Sequence, residues 1–474
     1  MTSDPRMLLA TATSKALTRG IRRLGRGGGT ALPGLLANRI DPRILDKLAA
    51  RLPDGAVIVA GTNGKTTTSR MLAGMLEASC RHVAHNRSGS NLVSGISAAL
   101  AEQLPLFGAG QVEIGVIETD ENALPDVMRR AKPRVVLLLN LFRDQLDRYG
   151  ELETIAAAWQ LAVHTLPDTT TLVINADDPN LVSLSAGTAA RVVTFGLGEP
   201  GYDLPELPHA SDASVCRVCE TPLVYDALYL SHLGAFRCPN CGLRRPPLDY
   251  SAHGIALDGV RPSTMILRQG QVGRAIADTR VEVAVPGLYN IYNALAAMAA
   301  ARVLAVPLEP MLTTLRTFEA AFGRLERITF NGRHLTLALA KNPVGFNELL
   351  RMITNEPLSG PLVIGVNDLY ADGTDVSWLW DVDFEMLADE KHRQPAFAAG
   401  LRGDDLAVRL KYAGLPDERN LPLAAGLPLA DGLDRIIERT DEGAEIFLLL
   451  TYTAMLQLRQ GLADRGVVAE FWQQ

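Results

Sequence analysis

At 474 residues, 47% hydrophobic and 21% charged, the chain has the profile of a soluble globular protein and a length suited to two or three domains. Aromatic residues make up only 5%, which suits helices packed on a buried parallel sheet better than a β-sandwich. The net charge of −7 disfavours a nucleic-acid partner held by phosphate neutralisation, and no apolar run is long enough to span a membrane.

In chain order, Met7 to Leu24 mixes Leu8, Leu9, Leu17 and Ile21 with Lys15, Arg19, Arg22 and Arg23. This predicts an amphipathic helix whose basic face meets either solvent or an anionic membrane surface, and it lacks the apolar core and cleavage site of a secretory signal. The Gly-rich stretch from Gly25 to Gly34 follows, so residues 1–54 read as a basic helix and a lead-in. The run AVIVA at 56–60 predicts a buried strand, GTNGKTT at 61–67 a turn, and residues 69–78 a helix. Further buried strands are expected at 114–118, 135–140, 172–175 and 192–195, with helices between them, which means an open α/β sheet. Between 200 and 250 this rhythm breaks, and four of the five cysteines appear there. A strand at 281–285 and an Ala-rich helix at 290–303 then resume the first unit. A second α/β unit begins near Leu325, with strands expected at 335–339, 361–366 and 446–450.

Gly61, Thr62, Asn63, Gly64, Lys65, Thr66 and Thr67 lie between a strand and a helix, where backbone N–H groups can turn toward phosphate oxygens. Lys65 supplies a point charge for the β and γ phosphates of ATP, and the Thr66 hydroxyl suits Mg²⁺. Val59 stands where the longer phosphate-loop consensus has its first Gly. Glu118, ending a strand ahead of Asp120 and Glu121, is placed for Mg²⁺ or water, unless the run is a solvated helix start. Asn140, Asp144 and Asp147 follow another strand and are candidates for the same crevice. Cys216 and Cys219, then Cys238 and Cys241, form two Cys-x-x-Cys pairs with the spacing of a four-thiolate Zn²⁺ site. Such a site has no open position, so its role is structural. Cys80 reads as a small buried residue near a helix end rather than a nucleophile.

These segments resemble the Mur ligase family. GTNGKTTT matches its phosphate loop, Glu118 its metal-binding glutamate, and NLFRDQLDRYG at 140–150 its N-x-x-x-D-H-x-D segment. NADDP at 175–179, GLYNIYNALAA at 287–297 and FGRLERI at 322–328 continue the match in family order. The resemblance implies an ATP-dependent ligase in which Asn290, Asn293 and Arg324 help to bind the nucleotide. Departures are Gln145 in place of the family's histidine and the absence of Lys from 148 to 167, where a carbamoylated lysine is usual. Only about 55 residues precede the loop, too few for the family's UDP-binding domain. The expected organisation is a central ATP-binding domain at 55–322, a zinc-ribbon insertion at 205–250 within it, and a Rossmann-like domain at 323–474.

The last of these contains AKNPVGFN at 340–347, where Asn342 or Asn347 is placed to meet a ligand, and an acidic loop holding Asp368, Asp372 and Asp375. With the ribbon, this resembles the branch of Mur ligases that forms the ligase subunits of lipid II isoglutaminyl synthases. That resemblance implies a heterodimer with a glutaminase subunit, which delivers ammonia and whose Cys–His pair is completed by an aspartate of this loop. It further implies lipid II as substrate and a cytoplasmic protein acting at the inner face of the membrane. Two other readings stay open: a stand-alone amino-acid ligase of the folylpolyglutamate type, and a non-catalytic ATP-binding scaffold.

Overall fold

The computed structural model describes residues 4–468 apart from 24–30, 87–89, 109, 144–151, 199–202, 210, 260, 271–277, 320–323, 356 and 424–426. Six parallel strands open the first sheet: β1 (Ala56–Ala60), β2 (Val83–His85), β3 (Ile114–Glu118), β4 (Val135–Leu138), β5 (Thr171–Asn175) and β6 (Arg191–Leu197). They stand side by side in the order β6-β5-β4-β1-β3-β2. The chain then forms a separate antiparallel hairpin, β7 (Val224–Leu230) and β8 (Leu233–Arg237), before β9 (Tyr250–Ala256) returns beside β6. Antiparallel β10 (Ser263–Gln269) and β11 (Asp278–Val283) bring the sheet to nine strands.

Every residue of β1 is buried, because helices cover both faces of the sheet. Val57 and Val59 pack with helices Lys65–Ala78 and Leu288–Val303, while Ile58 and Ala60 join helices Ile44–Ala49, Leu124–Ala131 and Leu152–His164. The period of two along the strand thus feeds two separate cores. With β3 on one side of β1 and β4 on the other, the loop after β1 opens at a topological switch point, where such sheets place ligands.

The second sheet has the order β12-β13-β17-β14-β15-β16: β12 (Arg324–Phe330), β13 (Arg333–Leu339), β14 (Leu362–Gly365), β15 (Ala396–Ala399), β16 (Asn420–Pro422) and β17 (Glu445–Leu450). All neighbours are parallel except the β12–β13 hairpin. Helices Pro343–Thr354 and Gly403–Tyr412 cover one face, and Leu429–Ile437 and Tyr452–Asp464 the other.

The α/β class agrees with the sequence, but three details differ. The lead-in is largely helical: Ala31–Ile40 and Ile44–Ala49 follow the basic helix Pro5–Arg23. Gly34 makes this packing possible, since a Cβ there would collide with the backbone of Ser94. Strands β2, β9, β10, β12, β15 and β16 lie outside the expected set; β10, for one, alternates buried and half-buried residues, so only one face reads as apolar. Strand β11 also starts and ends earlier than 281–285.

Candidate active site

The turn after β1 has the features expected of a phosphate site. Gly64, with φ +84°, caps the helix Lys65–Ala78 without a side-chain capping hydrogen bond. A Cβ on Gly64 would run into the Asn293 side chain, so glycine is required for space as well as for conformation. The backbone N–H of Asn63 donates to Asn140 Oδ1 at 2.8 Å, and Asn140 Nδ2 donates back to Asn63 O at 3.1 Å. Asn63 Nδ2 is buried and meets no hydrogen-bond partner among the described residues, a donor suited to a phosphate oxygen. The residues present therefore fit a nucleotide phosphate.

Lys65 is buried, and its ammonium lies 2.6 Å from Glu121 Oε1 and 2.6 Å from the Gly61 carbonyl. Thr66 Oγ1 donates to Glu118 Oε1 at 3.1 Å, and Asn86 clamps the Glu118 backbone with two hydrogen bonds of 2.8 and 2.9 Å. Thr66 and Glu118 thus present two oxygens side by side, a donor set that fits Mg²⁺ shared with phosphates. Asn293 accepts from Thr68 Oγ1 at 3.2 Å and donates to Asn290 Oδ1 at 3.1 Å, so both asparagines brace the loop. Arg324 begins β12, and its side chain lies outside the described residues, as do Asp144, Gln145 and Asp147.

A cleft of about 220 Å³ joins this loop to the second sheet, its walls including Glu118, Asn290, Asn293, Asn342 and Glu348. Asn342 accepts from Gly345 N at 2.9 Å, capping the helix Pro343–Thr354, and donates to Asn63 Oδ1 at 3.1 Å. Burial pushes the Glu348 carboxyl up, against the pull of Arg351. Asn347 does not enter the cleft; it exchanges two 2.8 Å hydrogen bonds with Asp383.

The four cysteines converge, their sulfurs all within 4.8 Å of one another, with Cys216–Cys241 at 3.6 Å and Cys219–Cys238 at 3.4 Å. Tetrahedral Zn²⁺ with bonds near 2.3 Å sets sulfurs about 3.8 Å apart, so the cluster fits that ion. The two pairs sit in duplicate knuckles. Cys216 N donates to Thr221 O and Cys238 N to Leu243 O, with bridges Val215–Pro222 and Arg237–Arg244 beyond them. At the equivalent turn positions Glu220 has φ +59° and Gly242 φ +80°. Hydrogen bonds with Thr221 draw the Cys219 thiol down to about 6.

The ribbon also reaches the nucleotide loop. Leu230 and Leu233, at the tip of the β7–β8 hairpin, line the cleft, and between them His232 packs on Phe142 at a tilt of 52°, with ring centroids 4.6 Å apart. Phe142 in turn exchanges hydrogen bonds of 2.9 and 3.0 Å with Thr62 Oγ1. Asp178 fastens the same region: it caps the helix Pro179–Ser185, accepts from Leu141 N at 2.8 Å and lies 3.4 Å from His232 Nε2. Its neighbour Asp177 binds Arg245 and the Tyr292 hydroxyl at 2.5 and 2.7 Å, so the NADDP segment is a brace.

The three loop aspartates separate by environment. Asp368 pairs with Arg402 at 2.8 Å. Asp372 is buried, its carboxyl raised by that burial, and accepts from both the backbone N–H and the hydroxyl of Thr453. Asp375 is exposed and accepts only from Ser377 N, at 2.8 Å, among the hydrogen bonds described. Cys80 corrects an expectation: it is exposed, with φ +64°, because the chain turns out of the helix at that point.

The Mur ligase middle domain model matches residues 59–240, and the MurT ligase C-terminal model matches 339–455. The Streptococcus pneumoniae lipid II isoglutaminyl synthase subunit MurT is 32% identical over 94% of this chain and 95% of its own length. The chain belongs to the MurT family. The Staphylococcus aureus MurT subunit is also 32% identical, over 86% of this chain and 88% of its own. Among solved structures, a pseudomurein peptide ligase type C from Methanothermus fervidus superposes with a TM-score of 0.67 at 20% identity, covering 95% of this chain and 85% of that one. MurF of Thermotoga maritima in complex with ADP gives 0.62 at 14% identity, covering 90% and 85%. These two share the fold.

Within this MurT-family chain, the sequence missed Asn86, Leu230, Leu233 and Glu348 as site residues. Leu230 and Leu233 look like ordinary hairpin leucines; only their tertiary placement gives them a role. Glu121 was visible as part of an acidic run, but its pairing with Lys65 was not.

Proposed function

We propose that this chain is the ligase subunit of a glutamine-hydrolysing lipid II isoglutaminyl synthase. It would amidate the D-isoglutamyl α-carboxylate of the lipid II stem peptide with ATP and ammonia supplied by a glutaminase subunit. One observation carries the reading: the cleft sets Lys65, Thr66 and Glu118 against the opposed wall of Asn342 and Glu348, so nucleotide and acceptor meet between the two sheets. A carboxylate oxygen attacks the γ-phosphorus of ATP and ADP leaves, giving an acyl phosphate. Ammonia then attacks the acyl carbon, phosphate departs and a proton is lost. Backbone N–H groups at the start of the helix Lys65–Ala78 and the Lys65 ammonium, turned from Glu121 toward the phosphates, stabilise charge in the first step. Mg²⁺, held by Thr66 and Glu118, would supply charge neutralisation.

The four cysteines are assigned to a structural Zn²⁺. Asp375, exposed and lightly bonded, is the aspartate best suited to complete the partner's Cys–His pair; Asp368 and Asp372 already have partners. No helix among the described residues is long and apolar enough to cross a membrane; the proposed reaction has the chain act on its membrane-borne acceptor at the cytoplasmic face.

The test is glutamine- and ATP-dependent amidation of lipid II by the chain co-purified with a glutaminase, read by mass spectrometry. Lys65→Ala is expected to abolish it with either nitrogen source. Asp375→Ala should lose the glutamine-dependent reaction and keep the one supplied with free ammonia. Amidation that survives Lys65→Ala overturns the nucleotide assignment.

A further inference from the structure

The amino-terminal helices form a surface that the proposed chemistry does not use. Pro5–Arg23 and Ala31–Ile40 lie together on the helix Val93–Gln103. Lys15 Nζ donates to Glu102 O at 2.7 Å, Arg22 grips the Glu102 carboxylate at 2.5 and 3.0 Å, and Gly34 sits against Ser94. The inward side of the first helix is small and polar: Ala10, Thr11, Ser14 and Thr18. Its outward side carries Arg6, Leu9, Ala16, Arg19 and Arg23, all exposed.

The second helix exposes Leu32, Leu35, Leu36 and Arg39, which fall on one face at spacings of three and four. Leu9, Leu32 and Leu35 are each more than half exposed, at 59%, 58% and 58%. Four leucines facing water from two neighbouring helices are more than scattered surface residues.

Charge decides what covers them. Residues 1–40 hold seven Lys and Arg but one acid, Asp4, in a chain whose net charge is −7. Asp4 is already taken by Lys47 at 2.6 Å. A second copy of this chain, which exposes Trp380, Val408 and Tyr412 together with acidic side chains, is left as an outcome of the test below. A bilayer with anionic headgroups offers both: acyl chains for the leucines and phosphates for the arginines.

We propose that the paired helices Pro5–Arg23 and Ala31–Ile40 are a docking surface for an anionic lipid bilayer. The helix they rest on begins two residues after Asn91, which lines the cleft, so docking would hold the cleft close to the membrane plane. The surface stands on its own geometry and charge, whatever reaction the cleft performs.

The full chain is to be sedimented with vesicles of phosphatidylglycerol and phosphatidylcholine, and with phosphatidylcholine alone, in the absence of substrates. Partition onto the anionic vesicles is expected to be at least tenfold stronger and to weaken as salt is raised. The triple variant Leu9→Ser, Leu32→Ser, Leu35→Ser and the double variant Arg19→Glu, Arg23→Glu should each cut that partition at least tenfold. Their melting temperatures, followed by circular dichroism, should stay near that of the unaltered chain. Equal partition of the unaltered chain and both variants overturns the proposal, as does failure to bind either vesicle. A leucine-dependent dimer in solution without vesicle binding also overturns it, assigning the surface to a second copy.

Discussion

Lys65 and Glu121 form a buried ion pair at the point where phosphate is expected, with side chains only 7% and 5% exposed. Such a pair is costly to break from one side, because the remaining charge stays buried without its counter-ion. Glu121→Ala should therefore destabilise the unliganded chain by about 3 kcal/mol. ATP with Mg²⁺ should restore more stability to this variant than to the unaltered chain, because a phosphate supplies the missing anion. Thermal melting with and without nucleotide reads both effects; an equal ATP shift in the two proteins would show that Lys65 does not meet the phosphates. The loop itself was legible in the sequence, since Gly61 to Thr67 and the strand before it are contiguous and their geometry is local. The Lys65–Glu121 pairing was not, because it depends on how far β3 runs past β1. The three loop aspartates were equally indistinct, since Arg402 and Thr453 arrive from later elements to claim two of them.

The β7–β8 hairpin is the element whose role exceeds what its cysteines announce. Their spacing foretold a four-sulfur cluster, but the hairpin tip also belongs to the core around the helix Leu288–Val303, while Cys216, Cys238 and Phe236 belong to the opposite core. Through His232, Phe142 and Thr62, the tip abuts the nucleotide loop. Removing the metal with a chelator, or substituting Cys238→Ser, is expected to weaken ATP binding at least tenfold in calorimetric titration. Cys80→Ser, altering an exposed residue outside the cluster, should leave binding unchanged. Unaltered ATP affinity after complete metal removal would mean that the tip stays seated without its knuckles.

For the whole molecule, the decisive relation is between the two sheets, and Asn342 spans it. Its carbonyl oxygen caps a helix of the second sheet while its amide reaches Asn63 in the phosphate loop of the first. Asn342→Asp keeps the helix cap, removes the donor and places a negative charge beside the phosphate site. It should lower ATP affinity at least tenfold at nearly constant melting temperature, whereas Asn342→Ala should also cost about 1 kcal/mol of stability through the lost cap. A normal ATP affinity in Asn342→Asp would detach the second sheet from nucleotide binding. Sequence reading offered Asn342 or Asn347, at a helix start, as the residue to meet a ligand; it had no means to choose between them or to see that the loop Asn342 reaches lay on the other sheet, since no local pattern encodes that approach.

The path of the chain between β6 and β9 has a consequence for how the protein comes into being. Those strands pair directly, yet the whole ribbon lies between them in sequence, so it must be drawn into a closed loop before β9 can align. A metal ion held by the four cysteines, as proposed above, would shorten that search and help the almost wholly buried helix Leu288–Val303 to seat. On the structural Zn²⁺ proposed above, metal supply would then govern the yield of native chains, read as the fraction that refolds with and without added zinc. Under that assignment, metal-starved chains are expected to expose the Ala-rich helix and to aggregate or be proteolysed, rather than to persist as an intact but slow enzyme.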